Sequence, residues 1–179
     1  MLVSVMRPTT LPGMRERTLT ISSAGKTFAV TGWKIGWCTG PAELVAAVRT
    51  AKQFLTFVSG APFQPAIAQA LELPDDYYET LRKDLESKRD RLCDGLTAVG
   101  LDVFVPRGTY FVTADIRPLG YADGMEFCRD LPERCGVVAI PCQVFYDDPD
   151  RGRHLVRFAF CKRDDVLDEA LRRLDGLRR

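Results

Sequence analysis

Residues 21–37 read ISSAGKTFAVTGWKIGW and pack two lysines, two tryptophans and three glycines into one short stretch. The residues leading into it, RTLTISS at 17–23, alternate β-branched and polar side chains and end in small ones, the pattern of a short strand running into a turn. Lys26 follows that turn directly, and Lys34 lies between Gly32 and Gly36.

Three kinds of chemistry use a lysine so placed. In a phosphate loop of the GxxxxGK[ST] type, backbone N–H groups cradle phosphates and a helix starts at the lysine. Gly25, Lys26 and Thr27 match its end, but Thr20 stands where the first glycine belongs, and Gly32 and Gly36 interrupt the stretch where the helix should run. A lysine that forms a Schiff base with a carbonyl cofactor needs neighbours that favour its neutral form and a rigid turn beneath it. A phosphorylated cofactor further requires hydroxyls and a second cation, which Ser22, Ser23 and Lys34 supply. The plainest alternative is an exposed turn lysine, which leaves these surroundings unexplained.

The pattern of Ser23, Ala24, Gly25 and Lys26, followed by Gly32, Lys34 and Gly36, closely resembles the cofactor-lysine segment of class I/II aminotransferases. These are fold-type I enzymes that use pyridoxal 5'-phosphate, and the likeness is to their kynurenine, methionine and N-succinyldiaminopimelate aminotransferase branch. Arginine is usual in the wider family where this chain has Lys34; lysine binds phosphate as a point charge without the bidentate fork. The resemblance runs from about Thr10 to the end. LPGMRERTLTIS at 11–22 is similar to the strand leading to the lysine, GTYF at 108–111 to a small-domain strand near the substrate, and HLVRFAFCK at 154–162 to the segment whose arginine holds the substrate α-carboxylate. That position falls on Arg157. A charge inside the apolar run LVRFAF needs a partner, either a bound carboxylate or a structural ion pair.

The resemblance implies a ping-pong transamination between an amino acid and a 2-oxo acid. Lys26 would be the catalytic residue and Schiff-base anchor, Ser23 and Lys34 would bind the cofactor phosphate, and Arg157 would bind substrate. It also implies a homodimer, and a chain about twice this long whose earlier part supplies the ring-stacking aromatic, the aspartate at the pyridine nitrogen and most large-domain strands. The fold expected is therefore α/β: a C-terminal portion of fold type I, with a remnant of the large-domain sheet in residues 1–73 and a complete small domain with a mainly antiparallel sheet in 74–179. Two functions follow from different classes. The chain is the C-terminal part of an aminotransferase, impaired alone, or a non-catalytic binding module associating through QFLTFVSGAPFQ at 53–64; the intact lysine and arginine favour the first.

Bulk properties point to small molecules or proteins as partners. In 179 residues, 25 Lys and Arg face 24 Asp and Glu for a net charge of +1, so no basic field points to nucleic acid or anionic membrane. With 46% apolar and 27% charged residues the composition is that of a soluble globular protein, and no apolar run approaches the roughly 18 residues of a membrane span. Arg7 and Pro8 cut the apolar opening at 1–5 short of a signal-peptide core, so a cytoplasmic location is expected. The six cysteines include no CxxC pair, and His154 has no partner at metal-ligand spacing. Cys128, Cys135 and Cys142 recur every seventh residue, but the intervening GVVAI reads as a strand, so no metal site is expected and all six are read as buried free thiols.

Periodicity assigns the remaining elements. Helices are expected from Pro41, over PFQPAIAQAL at 62–71, and over the long charged segment from Asp75 to a cap at Gly100. LDVFV and TYFVTADI flank the turn PRG as a hairpin, GMEFCRDLPER is a helix, GVVAI and HLVRFAF are strands, and RDDVLDEALRRLDGL closes the chain as a helix. The first 40 residues are read as strand and loop without helix.

Overall fold

Strand β1 (Thr20–Ser23) and strand β2 (Gly36–Thr39) form an antiparallel hairpin in a computed structural model that describes residues 8–178. The expectation for the apolar opening at 1–5 lies outside those residues. β1 begins three residues later than the alternation suggests, because Arg15–Arg17 form a 3-10 turn and the Thr18 hydroxyl donates to the Met14 carbonyl at 2.6 Å. The register pairs Ser22 with Trp37 and Ser23 with Gly36. Only glycine fits at 36, since a Cβ there would stand 2.8 Å from the Ser22 carbonyl oxygen.

The expectation of no helix in the first 40 residues is corrected by helix α1 (Ala24–Thr27), a single turn between the two strands. Its cause is a switch at Ser23, whose backbone is still extended (φ −140°, ψ 149°). Ala24, fully buried, then donates its N–H to the Ile35 carbonyl at 2.9 Å and accepts from the Phe28 N–H at 3.0 Å. Strand pairing and helix winding thus meet at one residue. Ala24, Ile35 and Ile67 are the buried centre of this region, with Phe28, Val30, Trp33 and Trp37 packed around them. Both tryptophans therefore pack, and the Trp33 ring stacks on Phe63 at 4.6 Å.

Helix α2 (Ala42–Leu55) starts after Pro41, and helix α3 (Gln64–Ala70) is led in by a 3-10 turn at Ala61–Phe63. α2 buries no residue; Phe54 and Leu55 at its end and Phe57 and Val58 just beyond it lie open. Helix α4 (Asp75–Val99) is the longest element, and the chain divides into two compact units inside it, between Leu81 and Arg82. Composition instead draws the line at residue 74, ahead of the helix. The two differ because α4 serves both units: in the first, Tyr77 stacks on Phe28 and donates to the Thr27 carbonyl at 2.7 Å, while Leu92, Cys93, Leu96 and Val99 enter the core of the second. Gly100, at φ +105°, ends it as expected.

The second unit is a four-stranded antiparallel sheet in the order β3-β4-β6-β5, as the sequence indicated. β3 (Asp102–Phe104) and β4 (Phe111–Asp115) are the hairpin, β5 is Ile140–Pro141, and β6 is Leu155–Ala159. Helix α5 (Gly124–Cys135) is capped by the Asp123 carboxylate on the Met125 and Glu126 N–H groups, and helix α6 (Asp164–Leu174) closes the unit. Val112, Ala114, Val156 and Phe158 on one sheet face meet Leu96, Phe127, Leu131 and Leu174 from the helices.

Two readings need correction here. The strand expected over GVVAI shrinks to Ile140–Pro141: Gly136 takes a left-handed conformation (φ +64°) to end α5, Val137 packs on the core, and Val138 stands 77% exposed. The thiols are all free, but only Cys93, Cys135 and Cys142 are buried, the other three being half-buried. Cys128 and Cys135 do share a face of α5, two turns apart, while Cys142 lies in the 3-10 turn Cys142–Phe145. Among the described residues no group of three or more His, Cys, Asp or Glu side chains could hold a metal ion, and no helix is long and apolar enough to cross a membrane.

Asp115 is the buried charge of this unit, 3% exposed. Burial pushes its carboxyl up, but the side-chain and backbone hydrogen bonds from Arg117, with the charges of Arg117 and His154, outweigh that and hold it below the usual carboxylate range. A native value below the unfolded one (about 3.9) means that the stabilisation is complete above that unfolded value and is lost as pH falls through the native one. Asp115→Asn is therefore expected to flatten the fall in melting temperature between about pH 5 and pH 2, measured by circular dichroism; an unchanged slope would remove Asp115 from the acid response.

Candidate functional site

Lys26 stands third in α1 and is exposed. Its Nζ donates to Thr31 Oγ1 at 3.4 Å, and that hydroxyl donates onward to the Gly25 carbonyl at 3.0 Å. The lysine is thus carried by a one-turn helix rather than by the strand, which ends at Ser23. That helix is anchored at both ends, by the Ala24 N–H on Ile35 and by the Thr27 carbonyl under Tyr77.

Ser23 and Lys34 stand at the same end of the hairpin, because Ser23 pairs with Gly36 two residues beyond Lys34. Ser23 precedes α1 in the cap position, yet its hydroxyl makes no capping bond. Lys34 has a left-handed backbone (φ 56°, ψ 38°), which closes the 3-10 turn Thr31–Trp33 and turns the chain into β2. Both side chains are exposed. Lys34 borders a cavity of about 370 Å³ together with Trp37, Lys52, Ser59 and Gln64. The close approach at Gly36 gives the glycine pattern a steric basis there, whereas a Cβ at Gly32 would meet nothing within 4 Å.

Arg157 belongs to the second unit, at the centre of β6. Thr113 of β4 is its partner on one side and Ile140 of β5 on the other. The structural ion pair that would account for a charge in LVRFAF is not found among the described residues. The guanidinium carbon instead lies 4.2 Å from the Phe111 ring centre and 4.3 Å from that of Phe145, and Nε is buried without a hydrogen-bond partner. Nearby, burial raises the Cys142 thiol against the lowering influence of the Arg157 charge and a hydrogen bond with Thr113, and burial pushes Cys128 up to about 11.

The hairpin thus gathers Ser23, Lys26 and Lys34 in one unit, and Arg157 is held separately in the other. Residue-by-residue reading missed Thr31 and the two phenylalanines. Phe111 is the last residue of GTYF and had a signal in that motif; Phe145, in an irregular turn, had none.

Known proteins resemble this chain over most of its length. The profile of the family described as Aminotransferase class I and II matches residues 4–174. A probable N-succinyldiaminopimelate aminotransferase of Mycobacterium tuberculosis is 58% identical over 173 residues, which cover 92% of this chain and 44% of that protein. The kynurenine–oxoglutarate transaminase of Dictyostelium discoideum is 41% identical over 181 residues, covering 90% and 42%. Among solved structures, the N-succinyldiaminopimelate aminotransferase of M. tuberculosis superposes with a TM-score of 0.87 at 59% identity, over 94% of this chain and 44% of that one. A methionine aminotransferase of Escherichia coli superposes at 0.86 and 37% identity, over the same shares. The chain spans less than half the length of these relatives. It belongs to the class I and II aminotransferases.

Proposed function

We propose that this chain is the C-terminal part of a pyridoxal-phosphate-dependent aminotransferase that moves an amino group between an amino acid and a 2-oxo acid. The observation that carries the reading is the anchored single-turn helix that holds Lys26 at the end of the hairpin that also carries Ser23 and Lys34. Residues 1–73 then end the cofactor domain and residues 74–179 are the small domain; the whole protein works as a cytoplasmic homodimer.

The residues present fit the cofactor. A phosphate needs a cation and hydroxyl donors, and Lys34 and Ser23 share one end of the hairpin, with neither side chain spent on a cap or an ion pair among the described residues. When bound, pyridoxal phosphate supplies an electron sink for the carbanion at the substrate Cα. Lys26 Nζ is the covalent anchor and, as a free amine, moves the proton at Cα. Arg157 takes the α-carboxylate through two parallel N–H···O bonds and so orients the substrate.

The test is a spectroscopic titration of the chain with pyridoxal phosphate. A visible absorbance band is expected. Lys34→Ala should weaken cofactor affinity by about tenfold or more, the order of one lost hydrogen bond to a charged group, and leave the affinity for pyridoxal, which lacks the phosphate, unchanged. Equal losses for both ligands would remove Lys34 from the phosphate site, and no band in the unmodified chain would count against the reading as a whole.

A further inference from the structure

We infer that Phe111 and Phe145 are positioning residues for the carboxylate site at Arg157, two ring faces that hold the guanidinium flat and leave only its edge to bind a ligand. This rests on the reading of Arg157 as the group that takes the α-carboxylate.

The sheet register builds the arrangement. Residues directly opposite in an antiparallel pair share a face, so Thr113, Arg157 and Ile140 line up across β4, β6 and β5. Phe111, two residues from Thr113 along β4, is the diagonal neighbour on that face, within reach of a long side chain. The alternate residues Val112, Ala114, Val156 and Phe158 are buried in the core. Phe145 comes from a different element, the 3-10 turn that follows β5. The two rings therefore reach the guanidinium carbon independently, at 4.2 and 4.3 Å.

The chemistry of guanidinium gives this arrangement its meaning. The five N–H groups point outward in the plane, so hydrogen bonds form at the edge, while the faces interact with π systems. The guanidinium carbon lies over both rings, the arrangement in which a cation is attracted to a π face rather than held at its N–H edge. Along the edge, Nε is sealed from solvent with no acceptor, and the described residues give Arg157 no hydrogen bond or ion pair. An in-plane acceptor is what the group lacks. A carboxylate matches the edge in two parallel bonds, and a guanidinium that cannot rotate has less freedom to lose on binding it. Phe145 is itself 58% exposed, so its ring contributes little to the core while its face meets the Arg157 guanidinium.

The experiment uses the ¹⁵N-labelled chain and pyruvate as the carboxylate probe. The Arg157 Nε–Hε resonance is assigned by its disappearance in Arg157→Lys. It is expected upfield of the other arginine signals in the unmodified chain because of the adjacent rings, to stay there in Phe145→Tyr, and to return toward them in Phe145→Leu, which keeps apolar bulk without a π face. Pyruvate affinity should fall about tenfold in Phe145→Leu and in Phe111→Leu and stay near its original value in Phe145→Tyr. Because Phe145 is exposed, its substitution leaves the core intact and is the decisive variant. If Arg157→Lys loses pyruvate binding while both leucine variants bind within about twofold of the original chain, the positioning role is overturned and the reading of Arg157 stands. If the unmodified chain binds no pyruvate, or Arg157→Lys binds it equally, the reading of Arg157 fails and this inference with it.

Discussion

Lys26→Ala is expected to abolish the covalent attachment of pyridoxal phosphate that borohydride reduction would otherwise fix on the peptide containing residues 21–37. The effect should be all-or-none, because an alanine side chain has no amine to attack the aldehyde. Position distinguishes Lys26 from the other lysines of its unit. It is held on a single helical turn whose first N–H is tied to Ile35 and whose last carbonyl is tied to Tyr77, and its own Nζ is steadied by Thr31. Lys52 by contrast donates to Thr56 and the Phe57 carbonyl at the end of α2. Alanine favours helix and Lys26 is exposed, so the hairpin should survive the change. Peptide mass spectrometry after reduction reads the outcome. Label on the same peptide in both proteins would assign the chemistry to Lys34, and label spread over many lysines would count against a dedicated site.

The largest expected loss of stability comes from Phe127→Ala. Phe127 is 1% exposed in α5 and meets the Tyr121 ring edge-on at 5.1 Å, within the cluster formed by Leu96, Leu131, Val156 and Leu174. Truncating a buried phenylalanine removes its transfer free energy and leaves a cavity, about 3–5 kcal/mol together. That is a large part of the roughly 5–15 kcal/mol by which a domain is stable. Phe104→Ala, at a residue 53% exposed in β3, should cost only about 0.5 kcal/mol. Urea unfolding followed by circular dichroism compares the two, and similar midpoints would contradict the assignment of the core to the inner sheet face.

What could be read from residues alone was what is local or periodic. The cofactor-lysine pattern is contiguous, so Ser23, Lys26 and Lys34 were visible as a set before any contact was known. The apolar stripes of α4 and α6 and the alternation in β4 and β6 report one-sided burial directly, which is why the helices and the central strands appear where they were expected.

The sequence by itself determined the family, the antiparallel sheet and the identity of the candidate site residues, because each depends on neighbours within one motif or one element. Tertiary structure alone decided how those residues are held. The helical turn under Lys26 exists because Ala24 bonds to Ile35 across the hairpin, a pairing that strand propensity does not encode. The expected GVVAI strand is cut to Ile140–Pro141, with Gly136 left-handed at the end of α5, Val137 packed on the core and Val138 exposed. Of the two partners its apolar run allowed, Arg157 has no ion pair among the described residues and two phenylalanine rings beside it instead. These outcomes depend on residues far apart in the chain that share a face only after the strands have registered, and no local pattern carries that information.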